Sequence, residues 1–304
     1  MNPEGLAIRL MIGQAALFAA ETAIIHELGS DVPIAQLALL RGLAGIALAL
    51  IMARSVGLAV LRTKQLGLQL LRGGIALLYL WVMIYSFGHL PFADATSISY
   101  TQAAYITVFA ALILGETITR SRWIAAALGI AGALLIAKPA FAGWHHGYLV
   151  ALFGTGLNGL SFVLNRYLQR EDSEATTMFY TNVVPAVANL PLLAISGASI
   201  VPMQGFWWLP GVLLCGPVGV YFGILAVKHA SAAMLGPYTL LRLVIAFFGG
   251  MILFREMPDA PGAVGACLIV FSCVLSSAKG GFRLPPFLKQ QILGLRSART
   301  RHPA

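Results

Sequence analysis

Two charged side chains lie deep inside long apolar stretches of the sequence, where each can bind an ionic ligand. Glu21 is the only acidic residue well inside such a stretch, and Arg242 lies near the middle of another. A carboxylate at the centre of a membrane helix costs about 2.5–3.5 kcal/mol, so it must face a partner or water. A carboxylate can bind an amine or carry a proton, and a guanidinium can hold a carboxylate through two parallel hydrogen bonds. The alternative is a structural ion pair between Glu21 and Arg242.

Polar and aromatic side chains on other apolar stretches can complete such a ligand site. Tyr238 lies one helical turn from Arg242 and next to Gly236-Pro237, where the proline removes a backbone donor and predicts a kink. Aromatic surfaces with a polar tip suit a pocket for an amphipathic metabolite. In the alternative interpretation, such residues form the interfacial aromatic belt or tie helices together by hydrogen bonds. The predicted ligand site comprises Glu21, Tyr79, Trp81, Tyr100, Asn158, Tyr221, Tyr238 and Arg242.

Several kinds of chemistry are excluded by missing motifs. The chain has no G-x-x-x-x-G-K-[ST] sequence, which argues against an ATP-binding site, and no H-E-x-x-H or G-x-S-x-G sequence. All three cysteines fall in apolar runs and show no disulfide or metal-binding spacing. The sequence therefore predicts no catalytic residue, no cofactor and no metal site.

The composition identifies the elements that must position these side chains. Of the 304 residues, 59% are hydrophobic and 10% are charged, which no soluble fold of this length could bury. About twenty apolar residues cross a bilayer as a helix, so the chain has room for ten crossings. We predict an all-α polytopic membrane protein with spans at about 5–26, 33–53, 66–88, 91–115, 120–139, 147–168, 175–196, 206–228, 231–254 and 259–278.

The basic residues predict how the chain is oriented in the membrane. If the N-terminus is cytoplasmic, sixteen of the 20 Lys and Arg residues fall on the inner side or in the tail, and two fall outside. This distribution follows the positive-inside rule, so the net charge of +9 reflects membrane orientation and predicts no nucleic-acid partner. Both termini are expected in the cytoplasm. The basic tail 280–304 is expected to be a cytoplasmic end that contacts lipid.

An internal repeat divides the chain into two halves. His89 precedes Glu116 by 27 residues, and His229 precedes Glu256 by the same 27 residues. Each copy covers two spans, and three further spans fit upstream of each. We therefore predict two five-helix repeats, 1–139 and 140–279, which the odd number of spans inverts relative to each other. Inverted repeats are typical of secondary transporters with a midplane site at the repeat interface, although channels and membrane enzymes also arise by duplication.

Several segments resemble the EamA domain. The stretch 114–119, with its Gly-Glu turn, is followed by Trp123 and by a Gly-rich helix with Gly129 and Gly132 three residues apart. Arg41 is similar to the arginine often found in the second span of that family. The resemblance extends over ten spans and implies the drug/metabolite transporter superfamily, with the amino-acid and metabolite exporters most similar.

These observations together predict a secondary transporter of a bacterial inner membrane. The expected function is export of a small polar or zwitterionic metabolite, such as an amino acid or its derivative, by alternating access, with the lipid bilayer as partner and a proton as the candidate coupling ion. Export rests on the family resemblance alone. The alternatives are an importer of a vitamin or nucleoside-like compound, a multidrug exporter and, from another class, a membrane-embedded enzyme.

Overall fold

Helices are the only regular secondary structure in the described part of the chain. The computed structural model describes residues 2–28, 34–54, 57, 61–140, 146–196, 209–253 and 260–278. The basic tail 280–304 and Glu256 lie outside these residues. The helices are α1 (Pro3–Leu28), α2 (Ile34–Arg54), α3 (Leu66–His89), α4 (Phe92–Ser99), α5 (Gln102–Leu114), α6 (Arg120–Ala137), α7 (His146–Leu168), α8 (Glu174–Ser196), α9 (Leu209–His229), α10 (Ala232–Leu235), a 3₁₀ segment (Gly236–Leu240), α11 (Leu241–Leu253) and α12 (Ala260–Ser277).

The helices coincide with the ten predicted spans, and two of those spans are broken near the middle. The predicted kink beside Pro237 is present as the 3₁₀ segment between α10 and α11. A second break, which the sequence did not predict, separates α4 from α5 at Tyr100 and Thr101. The Thr101 hydroxyl donates a 2.7 Å hydrogen bond to the Ile98 carbonyl, and such side-chain bonds compete with the helical ladder.

The outer surface and the helix lengths identify a multi-pass membrane protein. Among the described residues, seven of the predicted spans are long and apolar enough to cross a bilayer, and a shorter apolar helix covers 213–229. Many large apolar side chains face outwards, for example those of Ile51, Leu112, Leu214 and Val274. A surface of this kind is stable in contact with lipid.

The packing of the helices repeats across the two halves of the chain. Helix α1 packs on α9, and its counterpart α7 packs on α3. Helix α1 also contacts α11 while α7 contacts α5, and α2 contacts α9 while α8 contacts α3. Helices α6 and α12 pack on each other, as do α2 and α8. Each of these contacts thus has an equivalent contact in the other half, which is the pattern that a two-fold axis between the repeats produces.

Two glycines bring α6 and α12 into backbone contact. A Cβ atom on Gly132 would lie 2.6 Å from the Gly265 carbonyl oxygen, and one on Gly265 would lie 2.5 Å from the Gly132 carbonyl oxygen. Nearby, a Cβ on Gly129 would lie 2.7 Å from a methyl carbon of Leu240. In a membrane, close backbone approach through small residues is a main source of helix association.

The carboxylate of Glu116 joins the first repeat to the broken span of the second. Its two oxygens accept hydrogen bonds from the backbone N–H groups of Ala232 and Ala233, at 3.0 and 3.1 Å. These are free donors at the start of α10, where negative charge is also favoured by the helix dipole. Glu116 therefore caps the first turn of α10.

Replacing Glu116 with alanine leaves two partly buried N–H groups without this acceptor. We expect a loss of about 1–3 kcal/mol in the free energy of unfolding, since charge-assisted bonds of this kind are worth that much. Thermal unfolding of the purified protein measures this loss of stability. Glu116→Gln is the control variant: it keeps one acceptor oxygen, so its stability should lie between those of the wild type and Glu116→Ala. Equal stability of all three proteins would contradict the capping role.

A second polar cluster joins the repeats where α3 and α8 begin. Asp172 accepts two hydrogen bonds of 2.7 Å on one carboxylate oxygen, from the Thr63 hydroxyl and from the Gln69 amide. Glu174 forms an ion pair with Lys228 on α9. Burial raises the pKa of Glu174, but the hydrogen bond and charge of Lys228 outweigh it and hold the pKa below its ordinary value. Polar contacts therefore hold the starts of α3 and α8 and the end of α9 together.

Candidate functional site

A cavity of about 500 Å³ lies between the two repeats and is lined by both apolar and charged side chains. Its walls come from α1, α2, α3, α5, α7, α8, α9 and the broken ninth span. The volume is within the range of roughly 300–1,000 Å³ for small-molecule clefts. Among the described residues, the charged side chains of the lining are Glu21, Arg41, Arg72 and Arg242.

Glu21 is paired with an arginine that the sequence did not assign to it. Arg41 Nε lies 3.1 Å from Glu21 Oε1, and the carboxylate is 5% exposed. The contact is an ion pair without hydrogen-bond alignment, so Glu21 Oε1 has no hydrogen bond to any described residue. The guanidinium of Arg41 also lies 5.8 Å from the centre of the Phe18 ring, within cation–π range. The carboxylate therefore remains able to accept a proton or a hydrogen bond from a ligand.

Glycines on α9 make room for the α1 side chains that line this part of the cavity. A Cβ on Gly216 would collide with the Glu21 carboxylate and with Arg41 Nε. Two more glycines, Gly219 and Gly223, receive Phe18 and Gln14 in the same way. The glycine row thus sets how closely α1 approaches α9 and where the Glu21–Arg41 pair lies.

Substituting Gly216 with alanine tests this arrangement. The added methyl group must displace the Glu21–Arg41 pair, and we expect transport to fall roughly 10-fold, since a buried charge is then held in a poorer position. The assay is transport by cells that make equal amounts of protein. Gly249→Ala is the matched control, because a Cβ there meets nothing within 4 Å. Equal activity of Gly216→Ala and the control would contradict the account.

Arg242 extends a guanidinium into the cavity, where no described residue forms an ion pair with it. It lies 5.7 Å from the centre of the Tyr100 ring, within cation–π range. With the described residues it forms no hydrogen bond or ion pair, so the alternative of a structural Glu21–Arg242 pair is not observed. Its planar fork is free to bind a carboxylate through two hydrogen bonds.

Arg72 is a third arginine of the cavity lining. Its side chain is 4% exposed and donates a hydrogen bond to Thr181 on α8. Arg72 Nε has no hydrogen-bond acceptor among the described residues. A buried guanidinium with an unused donor indicates an anionic partner or an ordered water.

Amide side chains form the wall opposite α1. The side-chain amide of Asn158 on α7 donates a 2.9 Å hydrogen bond to the side-chain oxygen Oε1 of Gln102, at the start of α5. Asn165 lies two helical turns from Asn158, and its Oδ1 atom accepts no hydrogen bond from a described residue. Tyr238 lies on the 3₁₀ segment, and its hydroxyl is 2.6 Å from the Ser277 Oγ atom. These groups supply both donors and acceptors to a polar ligand.

Five of the eight predicted site residues line the cavity: Glu21, Tyr79, Asn158, Tyr238 and Arg242. Tyr100 is buried directly behind Arg242 and does not reach the lining. Trp81 and Tyr221 lie elsewhere. Trp81 is 48% exposed on the outer face of α3, since two residues along a helix turn the side chain about 200° away from Tyr79. Tyr221 packs against the apolar cluster around Met178.

Several lining residues were missed from the sequence, chiefly Arg41, Arg72, Gln102 and Thr181. For the two arginines the signal was present, because a charge inside an apolar stretch marks a polar cavity or a partner. For Gln102 and Thr181 there was none, since a single amide or hydroxyl in a span is equally compatible with helix packing.

Comparison with known proteins gives a consistent result over nearly the whole chain. The sequence model of the EamA-like transporter family matches residues 5–138 and 145–278. The pseudopaline exporter of Pseudomonas aeruginosa (strain UCBPP-PA14) is 27% identical over 270 residues, which are 87% of this chain and 93% of the exporter. A riboflavin transporter of Brucella anthropi is 29% identical over 70% of this chain and 77% of its own length. An S-adenosylmethionine uptake transporter of Rickettsia bellii is 24% identical over 70% and 73%. One solved crystal structure has the same fold, with a TM-score of 0.75 and 21% identity over 88% of this chain and 95% of that one.

Proposed function

Because the chain belongs to the EamA-like transporter family, we propose that it exports a small polar or zwitterionic metabolite, such as an amino acid or amino-acid derivative, by alternating access. The protein is a membrane transporter and not an enzyme. Its location is a bacterial inner membrane, with both termini in the cytoplasm, as the distribution of basic residues supports.

The observation that carries the proposal is the pair of opposite, ligand-ready charges in one inter-repeat cavity. Glu21 Oε1 has no hydrogen bond to a described residue, and the Arg242 fork has no partner among them. An amine and a carboxylate of one cargo molecule satisfy both groups at once. The cavity lies between two repeats, where rocking of one against the other opens it to either side of the membrane in turn.

Export is favoured by the relative whose match covers the largest part of this chain among those described above, the pseudopaline exporter. Import is the second candidate, because a relative that covers 70% of the chain is named an uptake transporter. The two directions use the same cavity and differ in the driving gradient.

Glu21 is the proposed site of proton coupling. Its carboxylate is buried and borders the cavity. In the proposed cycle, arrival of the cargo changes the partner of this carboxylate among Arg41, Arg242 and a proton. We expect Glu21→Gln to abolish the dependence of transport on the proton gradient, since an amide cannot release a proton. Efflux measured with and without an uncoupler reports this dependence. An uncoupler effect as large in Glu21→Gln as in the wild type would refute the coupling role.

The function is tested by comparing the metabolites of a deletion strain and an overexpressing strain, both inside the cells and in the spent medium. Export predicts a compound that accumulates outside on overexpression and inside on deletion. Depletion of a compound from the medium on overexpression would make the protein an importer. No difference in any metabolite would contradict the proposal.

A further inference from the structure

The cavity carries more positive than negative charge. Among the described residues its lining includes three guanidinium groups, those of Arg41, Arg72 and Arg242, and a single carboxylate, that of Glu21. The sequence has no other acidic residue well inside a span. The lining therefore has an excess of two positive charges when all four groups are ionised.

Among the described residues, a carboxylate compensates the charge of only one of the three arginines. Arg41 lies beside Glu21, and this pair is neutral as a unit. Arg72 and Arg242 form no ion pair with a described residue. Uncompensated charges are expensive in a site surrounded by lipid, so the positions of Arg72 and Arg242 favour an anionic occupant.

The two uncompensated arginines are spaced along the cavity. Arg72 and Tyr79 are seven residues and hence about 10 Å apart along α3. Arg72 lies six residues after the start of α3, whereas Arg242 lies ten residues after the start of α10, near the middle of its broken span, so Arg242 and Arg72 lie at different depths. Both retain donors, at Arg72 Nε and at the Arg242 fork. One compact carboxylate cannot satisfy both groups, but two carboxylates on an elongated molecule can.

We infer that the cargo is an amino polycarboxylate, an elongated amine-bearing compound with at least two carboxylates and a net negative charge at neutral pH. This inference rests on the proposed function and narrows its substrate class. One carboxylate binds Arg242, a second binds Arg72, and an amine faces the unused oxygen of Glu21. Neutral amino acids and uncharged aromatic compounds leave the two arginines uncompensated and are bound weakly.

A matched pair of probes isolates the charge of the ligand. The dipeptides glutamyl-glutamate and glutaminyl-glutamine have the same length and shape and differ only in two carboxylates. Thermal unfolding of the purified full-length protein, at constant ionic strength, gives an apparent dissociation constant for each dipeptide, because a ligand of the folded state raises the unfolding temperature. We expect glutamyl-glutamate to bind roughly 10- to 100-fold more tightly, as one to two charge-assisted contacts are gained.

Variants of Arg72 locate the second carboxylate. Arg72→Gln is expected to reduce the preference for glutamyl-glutamate about 10-fold, and Arg72→Lys to keep part of it. Three results with the wild-type protein alone would overturn the inference. They are equal binding of the two dipeptides, tighter binding of glutaminyl-glutamine, and binding of neither dipeptide.

The proposed function fails on a different observation. If the metabolite comparison identifies an exported compound that is neutral or cationic, export stands and the charge inference falls. If no compound is exported but glutamyl-glutamate binds as expected, the cavity chemistry stands and the proposal of export falls.

Discussion

Replacing Arg242 with alanine is expected to reduce transport roughly 10- to 100-fold while leaving a folded protein. The guanidinium lies in the cavity without an ion-pair partner among the described residues, so its removal breaks no contact of this kind that holds the fold. It does remove the group proposed to bind a cargo carboxylate, and hydrogen bonds to charged groups contribute about 1.5–3 kcal/mol. Initial rates of efflux, normalised to the amount of protein in the membrane, measure the effect.

Two further variants separate recognition of the carboxylate from simple positive charge. Arg242→Lys retains the charge but not the planar fork, so it should transport at an intermediate rate. Trp81→Ala changes a large side chain that faces away from the cavity, and its transport should equal that of the wild type. Wild-type transport by Arg242→Ala would show that the cargo does not depend on this residue.

The substitution Gly265→Leu is expected to prevent correct packing of the helices. Even the first added carbon would lie 2.5 Å from the backbone carbonyl oxygen of Gly132, and a backbone atom in the middle of α6 cannot rotate away. Overpacking of this kind costs about 1–3 kcal/mol or more. We expect a lower unfolding temperature and a smaller yield of monodisperse protein after extraction in detergent.

The matched control is the same substitution at a glycine with free space. A Cβ on Gly74, on α3, meets nothing within 4 Å, so Gly74→Leu should be tolerated. If Gly74→Leu and Gly265→Leu unfold at the same temperature, the α6–α12 crossing does not depend on the absence of a side chain at Gly265.

The positions of the helices could be predicted because long apolar stretches and the turns between them are local properties of the sequence. Ten spans, and the kink beside Pro237, were predicted in this way. The break at Thr101 was not, because it depends on hydroxyl groups that bond back to carbonyls of the same helix, and serines or threonines in spans usually leave the helix intact.

Only those residues of the candidate site whose type alone marks an unusual position in a membrane span could be predicted from the sequence. Glu21 and Arg242 were found because a charge in a membrane span requires a partner or water. Which arginine pairs with Glu21 depends on how α1 and α2 pack, and the sequence does not encode that locally. Trp81 does not line the cavity, because depth along α3 leaves the direction of a side chain open, and on this helix Tyr79 faces the cavity while Trp81 faces outwards.

The cavity is lined by equivalent helices of the two repeats, so a movement of one repeat against the other changes the cavity. Helices α1 and α7 occupy equivalent positions, and each contributes polar groups to the lining, Glu21 from one and Asn158 from the other. A tilt of one repeat against the other therefore moves both walls of the cavity. Alternating access requires that a lining residue such as Asn158 be exposed to each side of the membrane in turn.

The most direct measurement of this claim is the accessibility of a cysteine at position 158. Asn158→Cys is made in a protein whose native residues Cys215, Cys267 and Cys273 are replaced by serine or alanine and which still transports. A charged, membrane-impermeant thiol reagent is then applied to whole cells and, separately, to inside-out vesicles, with Trp81→Cys as the lipid-facing control. Our account predicts that Asn158→Cys is modified from both sides and Trp81→Cys from neither. Modification of Asn158→Cys from only one side, or from none, would contradict transport through this cavity.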